Sequence, residues 1–301
     1  MELIDFSCKH NILLEDESGV LTPMDEPYFR SELIKEKTWK ILSDGDFSYL
    51  LEGDDEALVI DSGYGAGNIR EFCATLTNKP VSRIANTHDH FDHTANNSYF
   101  DLAYMSEETK PLATITFPSF EGITFPRDYA VEIVDSGDII PLKGRDLLVF
   151  KIPDHAVGSL AFLDKKGRML FSGDEIGMPM GKTLKGSVSR WAEHMAMLIK
   201  HRSEFDTICT GFGVFDAKII EQNLENARHI LAGNEGVVIE ARAFPNFSYT
   251  TPEGNTVWKR QVPHPGDGPK DFNSDWEYMR MMDFAGCRII YDIRKINESD
   301  K

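Results

Sequence analysis

Residues 87–93 read THDHFDH, so three histidines and two aspartates stand within seven positions of a chain that has nine histidines in 301 residues. On an extended backbone the side chains alternate, which directs His88 and His90 to one side. Asp92 and His93 follow where the chain should turn into a helix. Neutral imidazole and carboxylate are ligands that suit zinc or iron. A solvent-facing polar turn is the alternative, but the clustering favours a metal site at a strand-to-helix junction.

Three other short stretches stand in series with this one: VIDSG at residues 59–63, IPDHAVGS at residues 152–159 and LFSGD at residues 170–174. Taken alone, His155 is typical of an ordinary loop, and Asp174 of a turn or a helix cap. Together with residues 87–93, they resemble the motifs of the metallo-β-lactamase superfamily. These motifs are H-x-H-x-D-H, a P-G-H-T-x-G-S loop, and strands ending in D-x-G and in S/T-G-D. The resemblance covers about residues 39–232.

The resemblance implies an α/β fold, a four-layer αββα sandwich with metal ions held between loops at one edge of its two sheets. It also implies a role for each motif residue. Three imidazoles make the first metal site, a carboxylate and an imidazole belong to the second, and one carboxylate bridges both. In that order, the residues are His88, His90 and His155, then Asp92 and His93, then Asp174.

These residue types suit hydrolysis. Three neutral imidazoles leave the charge of a metal ion available to lower the pKa of a bound water towards about 7, which produces hydroxide at neutral pH. Asp92, besides acting as a ligand, is the candidate catalytic residue that orients this hydroxide and accepts its proton. We therefore expect a metallo-hydrolase that uses metal-bound hydroxide. The resemblance to glyoxalase II-like and lactonase-like members of the superfamily implies a small acyl substrate, an ester, a thioester or a lactone. The expected cofactor is one or two Zn²⁺ ions, with iron or manganese as alternatives.

The last motif departs from the family pattern. Where the family has a histidine in a P-G-H-G strand end, residues 210–213 read TGFG, so Phe212 replaces the sixth ligand. The second site would then be open, rich in oxygen ligands and weaker. We expect the Phe212 ring to fill the space beside it, and Phe212→His to tighten metal binding. Among the remaining histidines, His264 is the least implausible substitute ligand.

The lost histidine also leaves a second class of function open, a binding or regulatory protein on the same scaffold with a weakened second metal site. A flavodiiron protein is a third class, but it is expected to carry Glu in place of His90 and a flavin-binding domain, and neither is seen. Phosphodiesterases and tRNA-processing nucleases share the motif. However, 32 Lys and Arg against 49 Asp and Glu give a formal net charge of −17, which repels polyanions. We expect no nucleic-acid partner.

Composition indicates an ordinary globular protein, with 41% hydrophobic and 27% charged residues. No stretch approaches the roughly 18 apolar residues that span a bilayer. The start of the chain, MELIDFSCKHNILLEDE, is acidic where a signal peptide would be basic. These features predict a cytoplasmic protein that acts on a small-molecule substrate and has no membrane partner. They leave a homodimer open.

We predict a single metallo-β-lactamase-like domain over residues 1–301. Residues 1–37 are polar and contain prolines, so they are expected to form an irregular lead-in. Residues 233–301 are expected to be a C-terminal extension packed on the domain. Poor periodicity and three prolines predict a long loop over residues 101–130. This loop and the aromatic stretch Asp271–Phe284 are candidate pocket walls, with core packing or a dimer contact as the alternative.

Overall fold

A computed structural model of the protein describes residues 12–15, 19–23, 29–43, 46–65, 67–115, 125–176, 181–239, 248–259 and 276–298. Over these residues the strands are β1 (Ile12–Glu15), β2 (Leu21–Pro23), β3 (Arg30–Lys35), β4 (Thr38–Ser43), β5 (Asp46–Glu52), β6 (Ala57–Ile60), β7 (Val81–Ala85), β8 (Leu102–Met105), β9 (Val131–Ile133), β10 (Ile139–Ile140), β11 (Leu147–Lys151), β12 (Leu160–Asp164), β13 (Met169–Gly173), β14 (Lys182–Thr183), β15 (Thr207–Thr210), β16 (Gly213–Asp216), β17 (Val237–Val238), β18 (Ser248–Thr250), β19 (Thr256–Lys259), β20 (Met279–Phe284) and β21 (Cys287–Asp292). The α-helices are α1 (Ile69–Ala74), α2 (Phe91–Thr94), α3 (Val188–Ile199) and α4 (Ile219–Leu231).

Two large sheets carry the fold. The first has the order β3-β4-β5-β6-β7-β8-β9, and the second has the order β10-β11-β12-β13-β15-β16. Strands β6 to β9 run parallel to one another, as do β13 and β15. Parallel neighbours bring their carboxyl ends to the same edge of a sheet. The segments that follow β6 and β7 therefore lie together, and so do the segments that follow β13 and β15.

Alternation along the strands builds four layers. On β5, Tyr49 and Leu51 pack in the core between the two sheets, whereas Leu50 packs on the opposite face with residues of α1. The outer face of the second sheet packs against α3 and α4, where Trp191 is fully buried. The order of layers is helix, sheet, sheet, helix.

Helix α3 has a side-chain cap at its N-terminus and one buried apolar face. Ser187 caps it, because the Ser187 Oγ atom accepts a hydrogen bond from Arg190 N at 3.2 Å. Trp191, Met195 and Leu198 follow at helical spacing and are buried. Within the described ranges, no helix is long and apolar enough to cross a membrane. The expected cytoplasmic location and the open question of a homodimer stay predictions.

Three segments differ from or extend the expected layout. Part of the predicted irregular lead-in forms β3, which pairs with β4 at the edge of the first sheet. Part of the loop predicted over residues 101–130 forms β8, which pairs with β7. In both cases pairing with a neighbouring strand outweighs a weak local pattern. In the predicted C-terminal extension, β20 and β21 form a hairpin that contacts α4.

The two ends of β12 are fastened differently. At its start, Leu160 N donates a hydrogen bond to Thr87 O at 2.7 Å, which links the second sheet to the loop after β7. At its end, Arg145 Nε donates to Asp164 Oδ2 at 2.8 Å. Arg145 Nη1 also donates to Lys37 O at 2.6 Å in the turn between β3 and β4. Arg145 therefore links the second sheet to the first at the edge away from Thr87.

Candidate functional site

The structure brings all six predicted metal-ligating residues to one edge of the two sheets. His88 and His90 lie in the segment after β7, and His155 lies in the loop between β11 and β12. His88 lies on a bend rather than on the extended segment that we expected. Asp174 directly follows β13 in the second sheet, and the two remaining residues, Asp92 and His93, lie on α2.

The first group consists of His88, His90 and His155. One ring nitrogen from each lies within 4.8 Å of the others, and His155 Nε2 lies 3.0 Å from His90 Nδ1. Burial lowers the pKa of His88 and of His155 well below the ordinary histidine value, and neighbouring imidazoles lower both further. The pKa shifts keep the rings of His88 and His155 neutral at pH 7, the form in which imidazole binds metal ions.

The second group adjoins the first. His93 Nε2 lies 3.5 Å from Asp174 Oδ1 and 3.8 Å from Asp92 Oδ2. One ligand atom from each of these residues and from Asp46 lies within 4.8 Å of the others. Asp174 Oδ2 also lies 3.7 Å from His155 Nε2. Asp174 is therefore placed between the two groups, where a bridging residue is expected.

Buried negative charge dominates the second group. Burial lowers the pKa of His93, but the carboxylates around it, Asp174 foremost, outweigh burial and raise this pKa well above the ordinary value. Burial raises the pKa of Asp46, and the charges of Asp92 and Asp174 raise it further. In the described part of the chain, the cationic side chains within 4 Å of Asp92 and Asp174 are histidines. Carboxylates buried together favour a bound cation.

Buried polar atoms without hydrogen-bond partners indicate whether a metal ion fits the two groups. His88 Nε2, His93 Nε2, Asp92 Oδ1 and Asp174 Oδ1 are buried and have no hydrogen-bond partner among the described residues. Leaving a buried polar atom unpaired costs about 1–3 kcal/mol. A divalent ion in each group would satisfy these atoms, and imidazole nitrogens with carboxylate oxygens are ligands that zinc, iron and manganese accept. The residues therefore fit the metal ions that the resemblance implies.

Asp61, the aspartate of the VIDSG stretch, orients His93. Its Oδ2 atom lies 2.9 Å from His93 Nδ1 and accepts a hydrogen bond from Thr87 Oγ1 at 2.7 Å. Its Oδ1 atom accepts a hydrogen bond from Thr87 N at 2.8 Å. These contacts turn the other nitrogen of His93 toward the site. The backbone of Asp61 has φ of 58°, a left-handed conformation that aspartate adopts more readily than most residues.

Two residues that sequence reasoning missed support His155. The Glu175 carboxylate accepts two contacts from His155 N at 2.9 and 3.0 Å, and Lys182 Nζ lies 3.2 Å from Glu175 Oε1. Lys182 Nζ also lies 3.0 Å from Asp154 Oδ2. Burial lowers the pKa of Lys182, but these two carboxylates outweigh burial and raise it. Glu175 is the neighbour of Asp174 in the sequence, whereas no motif marks Lys182.

The last motif passes beside the second group through Gly211. A Cβ atom built on Gly211 would lie 2.1 Å from Asp174 Oδ1, so the backbone itself lies against the site. Phe212 is half-buried and belongs to none of the ligand groups in the described part of the chain. Asp46 belongs to the second group, although no motif contains it. His264, the substitute considered from the sequence, lies outside the described residues.

An open pocket leads away from the first group. Lys185 and Arg190 line it, and Lys295 Nζ donates a hydrogen bond to Lys185 O at 3.0 Å. Arg190 shares its charge with Glu298, because its Nε atom lies 2.5 Å from Glu298 Oε1. Two carboxylates, Asp89 and Asp154, also line the pocket, so its wall carries cations and carboxylates side by side in a chain with a net charge of −17.

A sequence profile of the metallo-beta-lactamase superfamily matches residues 44–239, more than half of the chain. The chain belongs to the metallo-beta-lactamase superfamily. Two metallo-beta-lactamases of known structure share the fold. The one from Pontibacter korlensis has a TM-score of 0.51 and 16% identity, over 67% of this chain and 99% of its own. The one from Erythrobacter litoralis has a TM-score of 0.53 and 16% identity, over 67% and 96%. The predicted family and the predicted αββα sandwich are confirmed.

Two curated relatives are similar in sequence to this superfamily member. Human acyl-coenzyme A thioesterase MBLAC2 is 30% identical over 160 residues, which is 42% of this chain and 57% of the relative. The 2,4-dinitroanisole O-demethylase subunit alpha from Nocardioides sp. (strain JS1661) is 27% identical over 160 residues, which is 50% of this chain and 47% of the relative. The chain spans about half the length of the curated relatives it matches.

Proposed function

We propose that this chain is a metal-dependent hydrolase that cleaves a small acyl thioester, with esters and lactones as related substrates. The observation that carries the proposal is the pair of adjoining ligand groups beside an open pocket, with four buried atoms that lack hydrogen-bond partners among the described residues. The thioesterase activity named for the human relative supports the thioester as the acyl group.

The two ligand groups suggest preferences for different metal ions. The three imidazoles of the first group suit zinc, whereas the carboxylates of the second group suit manganese or iron as well. When bound, such an ion supplies Lewis-acid chemistry, since it lowers the pKa of a water molecule and polarises a carbonyl oxygen. The ligands that we propose are His88, His90 and His155 for the first ion, and Asp92, His93 and Asp174 for the second.

We propose that Asp92 moves the proton. Its side chain is 4% exposed, and no described residue bonds to its Oδ1 atom. The carboxylate oxygen of Asp92 that does not hold the ion would accept a proton from the attacking water and return it to the leaving thiolate. The imidazole of His93, which Asp61 orients, lies beside this carboxylate, with its Nε2 atom 3.8 Å from Asp92 Oδ2.

Two cations on the pocket wall, Lys185 and Arg190, support an anionic substrate. Lys185 is exposed and Arg190 is half-buried along the pocket, and Lys295 lies behind Lys185. A coenzyme A thioester carries its phosphate groups at the end away from the acyl group. Cations beside the pocket would attract these phosphates to a chain whose net charge otherwise repels them.

A substrate panel tests the proposal. Purified protein would be stripped of metal, reconstituted with Zn²⁺, Mn²⁺ or Fe²⁺, and assayed with an acyl-coenzyme A, an acyl N-acetylcysteamine thioester, a lactone, an aryl ester, an aryl methyl ether and a phosphodiester. We expect the thioesters to be cleaved fastest and the phosphodiester not at all. Preference for the aryl methyl ether would favour the chemistry named for the Nocardioides relative instead. Absence of thioester cleavage with every metal would overturn the proposal.

A charge reversal at the pocket tests the anionic substrate separately. Lys185→Glu should raise KM for the acyl-coenzyme A severalfold and leave KM for the N-acetylcysteamine thioester unchanged, because only the first carries phosphates. Lys200→Glu is the matched control, since Lys200 is exposed and lies at the other end of α3. An equal effect of Lys185→Glu on both thioesters would contradict phosphate recognition.

A further inference from the structure

We propose that Asp46 is a ligand of the second metal ion and takes the place of the histidine that Phe212 replaces. The inference rests on the proposed metal centre and not on the identity of the substrate. It assigns to the second site three carboxylates and one imidazole, from Asp46, Asp92, Asp174 and His93.

The first argument is position. Asp46 is the first residue of β5, and the next residue, Phe47, donates a backbone hydrogen bond to Gly211 O at 2.9 Å. The Tyr49 hydroxyl donates to Thr210 O at 2.6 Å, again joining β5 to the last motif. The start of β5 is therefore fastened to the turn that holds Phe212, and Asp46 lies where that turn approaches the site.

The second argument is the ligand geometry. One carboxylate oxygen of Asp46 lies within 4.8 Å of a ligand atom from each of Asp92, His93 and Asp174. Asp46 is 7% exposed, and the other three residues are 5% exposed or less. Because His93 Nε2 and Asp174 Oδ1 are buried without hydrogen-bond partners among the described residues, the group presents atoms that a cation would satisfy.

The third argument is the backbone at the last motif. Gly211 lies so close to Asp174 that a Cβ atom there would be 2.1 Å from Asp174 Oδ1 and 3.1 Å from His93 Cε1. The turn thus fills one side of the second group with backbone rather than with a side chain. Asp46 adds its carboxylate to the group from the start of β5, the strand that is hydrogen-bonded to this turn.

This ligand set predicts a metal preference. Three carboxylates make the second site harder and more anionic than a site with two imidazoles. We therefore expect the second site to bind Mn²⁺ or Fe²⁺ more readily, relative to Zn²⁺, than the first site does. The centre would then hold two ions with different preferences.

Metal binding tests the inference without any substrate. Metal-free wild type and Asp46→Ala would be titrated with Mn²⁺ by calorimetry, with elemental analysis after gel filtration and circular dichroism as a check of folding. Wild type should bind two ions per chain. Asp46→Ala should keep one ion and bind the second more than about tenfold more weakly. Asp55→Ala is the control, because Asp55 is an exposed carboxylate just after β5.

Asp46→Asn provides a second variant of nearly the same shape, in case Asp46→Ala does not fold. It should also weaken the second ion, and the Mn²⁺ electron paramagnetic resonance spectrum of that ion should change. Wild-type affinity for both ions in either folded variant would overturn the inference. Binding of a single ion by wild type would overturn it as well, while leaving the first site and thioester cleavage to be judged by the substrate panel.

Discussion

The two ends of β12 show what distinguishes buried polar residues that serve structure from those proposed to serve chemistry. At the end near Asp164, Arg145 bonds to three different groups, and Gly167 N donates to the second oxygen of Asp164 at 2.8 Å. At the end near Thr87, the side chains of His88, Asp92, His93 and Asp174 are also buried, yet each has one atom without a hydrogen-bond partner among the described residues.

Burial alone does not separate these two regions. The side chains of Arg145 and Asp164 are 5% and 0% exposed, and those of His93 and Asp174 are 1% and 4% exposed. The difference lies in the pairing of their polar atoms. Paired polar groups hold the sheets together, whereas unpaired ones keep their binding capacity for a ligand.

The largest expected effect is on turnover. Asp92→Asn keeps the shape of the side chain but removes its basicity, so kcat should fall by about 10²–10⁴-fold while the fold and the metal of the first site remain. Steady-state kinetics on a cleaved thioester, with elemental analysis of the same sample, would measure this. Asp101→Asn, at an exposed carboxylate, should behave as wild type. Near wild-type turnover in Asp92→Asn would remove Asp92 from the mechanism.

The next largest effect is expected at the end of β12 where Arg145 pairs with Asp164. Arg145→Met leaves the buried carboxylate of Asp164 without its cation, so the free energy of unfolding should fall by roughly 3–5 kcal/mol. Urea denaturation gives this value, and metal stoichiometry should not change. Lys143→Met is the contrast, because the pair of Lys143 with Asp55 is exposed and should contribute little. Equal losses in the two variants would show that pairing at this end does not stabilise the fold.

Metal binding at the end of β12 near Thr87, where the ligand groups lie, should raise the free energy of unfolding. An ion that binds the folded chain at a hundred times its Kd stabilises it by about 2.7 kcal/mol. Thermal or urea unfolding of stripped protein, with and without added Zn²⁺ or Mn²⁺, would show the shift. His93→Ala should reduce the gain by removing the second ion. Unfolding curves that coincide with and without metal would contradict a metal site at this edge.

The smallest effect is expected at Asp61, which contacts a proposed ligand and not the ion. Asp61→Asn should weaken metal binding by about 10–100-fold, because His93 loses the carboxylate that orients it. Calorimetric titration measures the change, and Asp128→Asn, at an exposed site, serves as the control. Unchanged affinity would mean that helix α2 alone holds His93 in place.

Residues of the recognised motifs could be read from the sequence because their order along the chain and their local spacing are visible there. Residues 87–93 predicted the clustering of His88, His90 and Asp92, and the resemblance of the later stretches to the family motifs implied that His155 and Asp174 would join them. These features depend on backbone geometry over a few residues, which a sequence pattern reports directly.

Only the tertiary structure showed that Asp46 lies in the second group, that Glu175 contacts His155 and that Arg145 pairs with Asp164. Strand β5 meets the last motif across 161 residues of sequence, at the contact of Tyr49 with Thr210. Lone charged residues in turns and at strand ends carry no periodic signal, so their partners depend on how the two sheets stack. The sequence by itself determined the family, the layered fold and six proposed ligands. Only the stacking of the sheets decided which buried charges are paired and which further carboxylate joins the second group, because pairing across sheets is a property of three-dimensional distance and not of spacing along the chain.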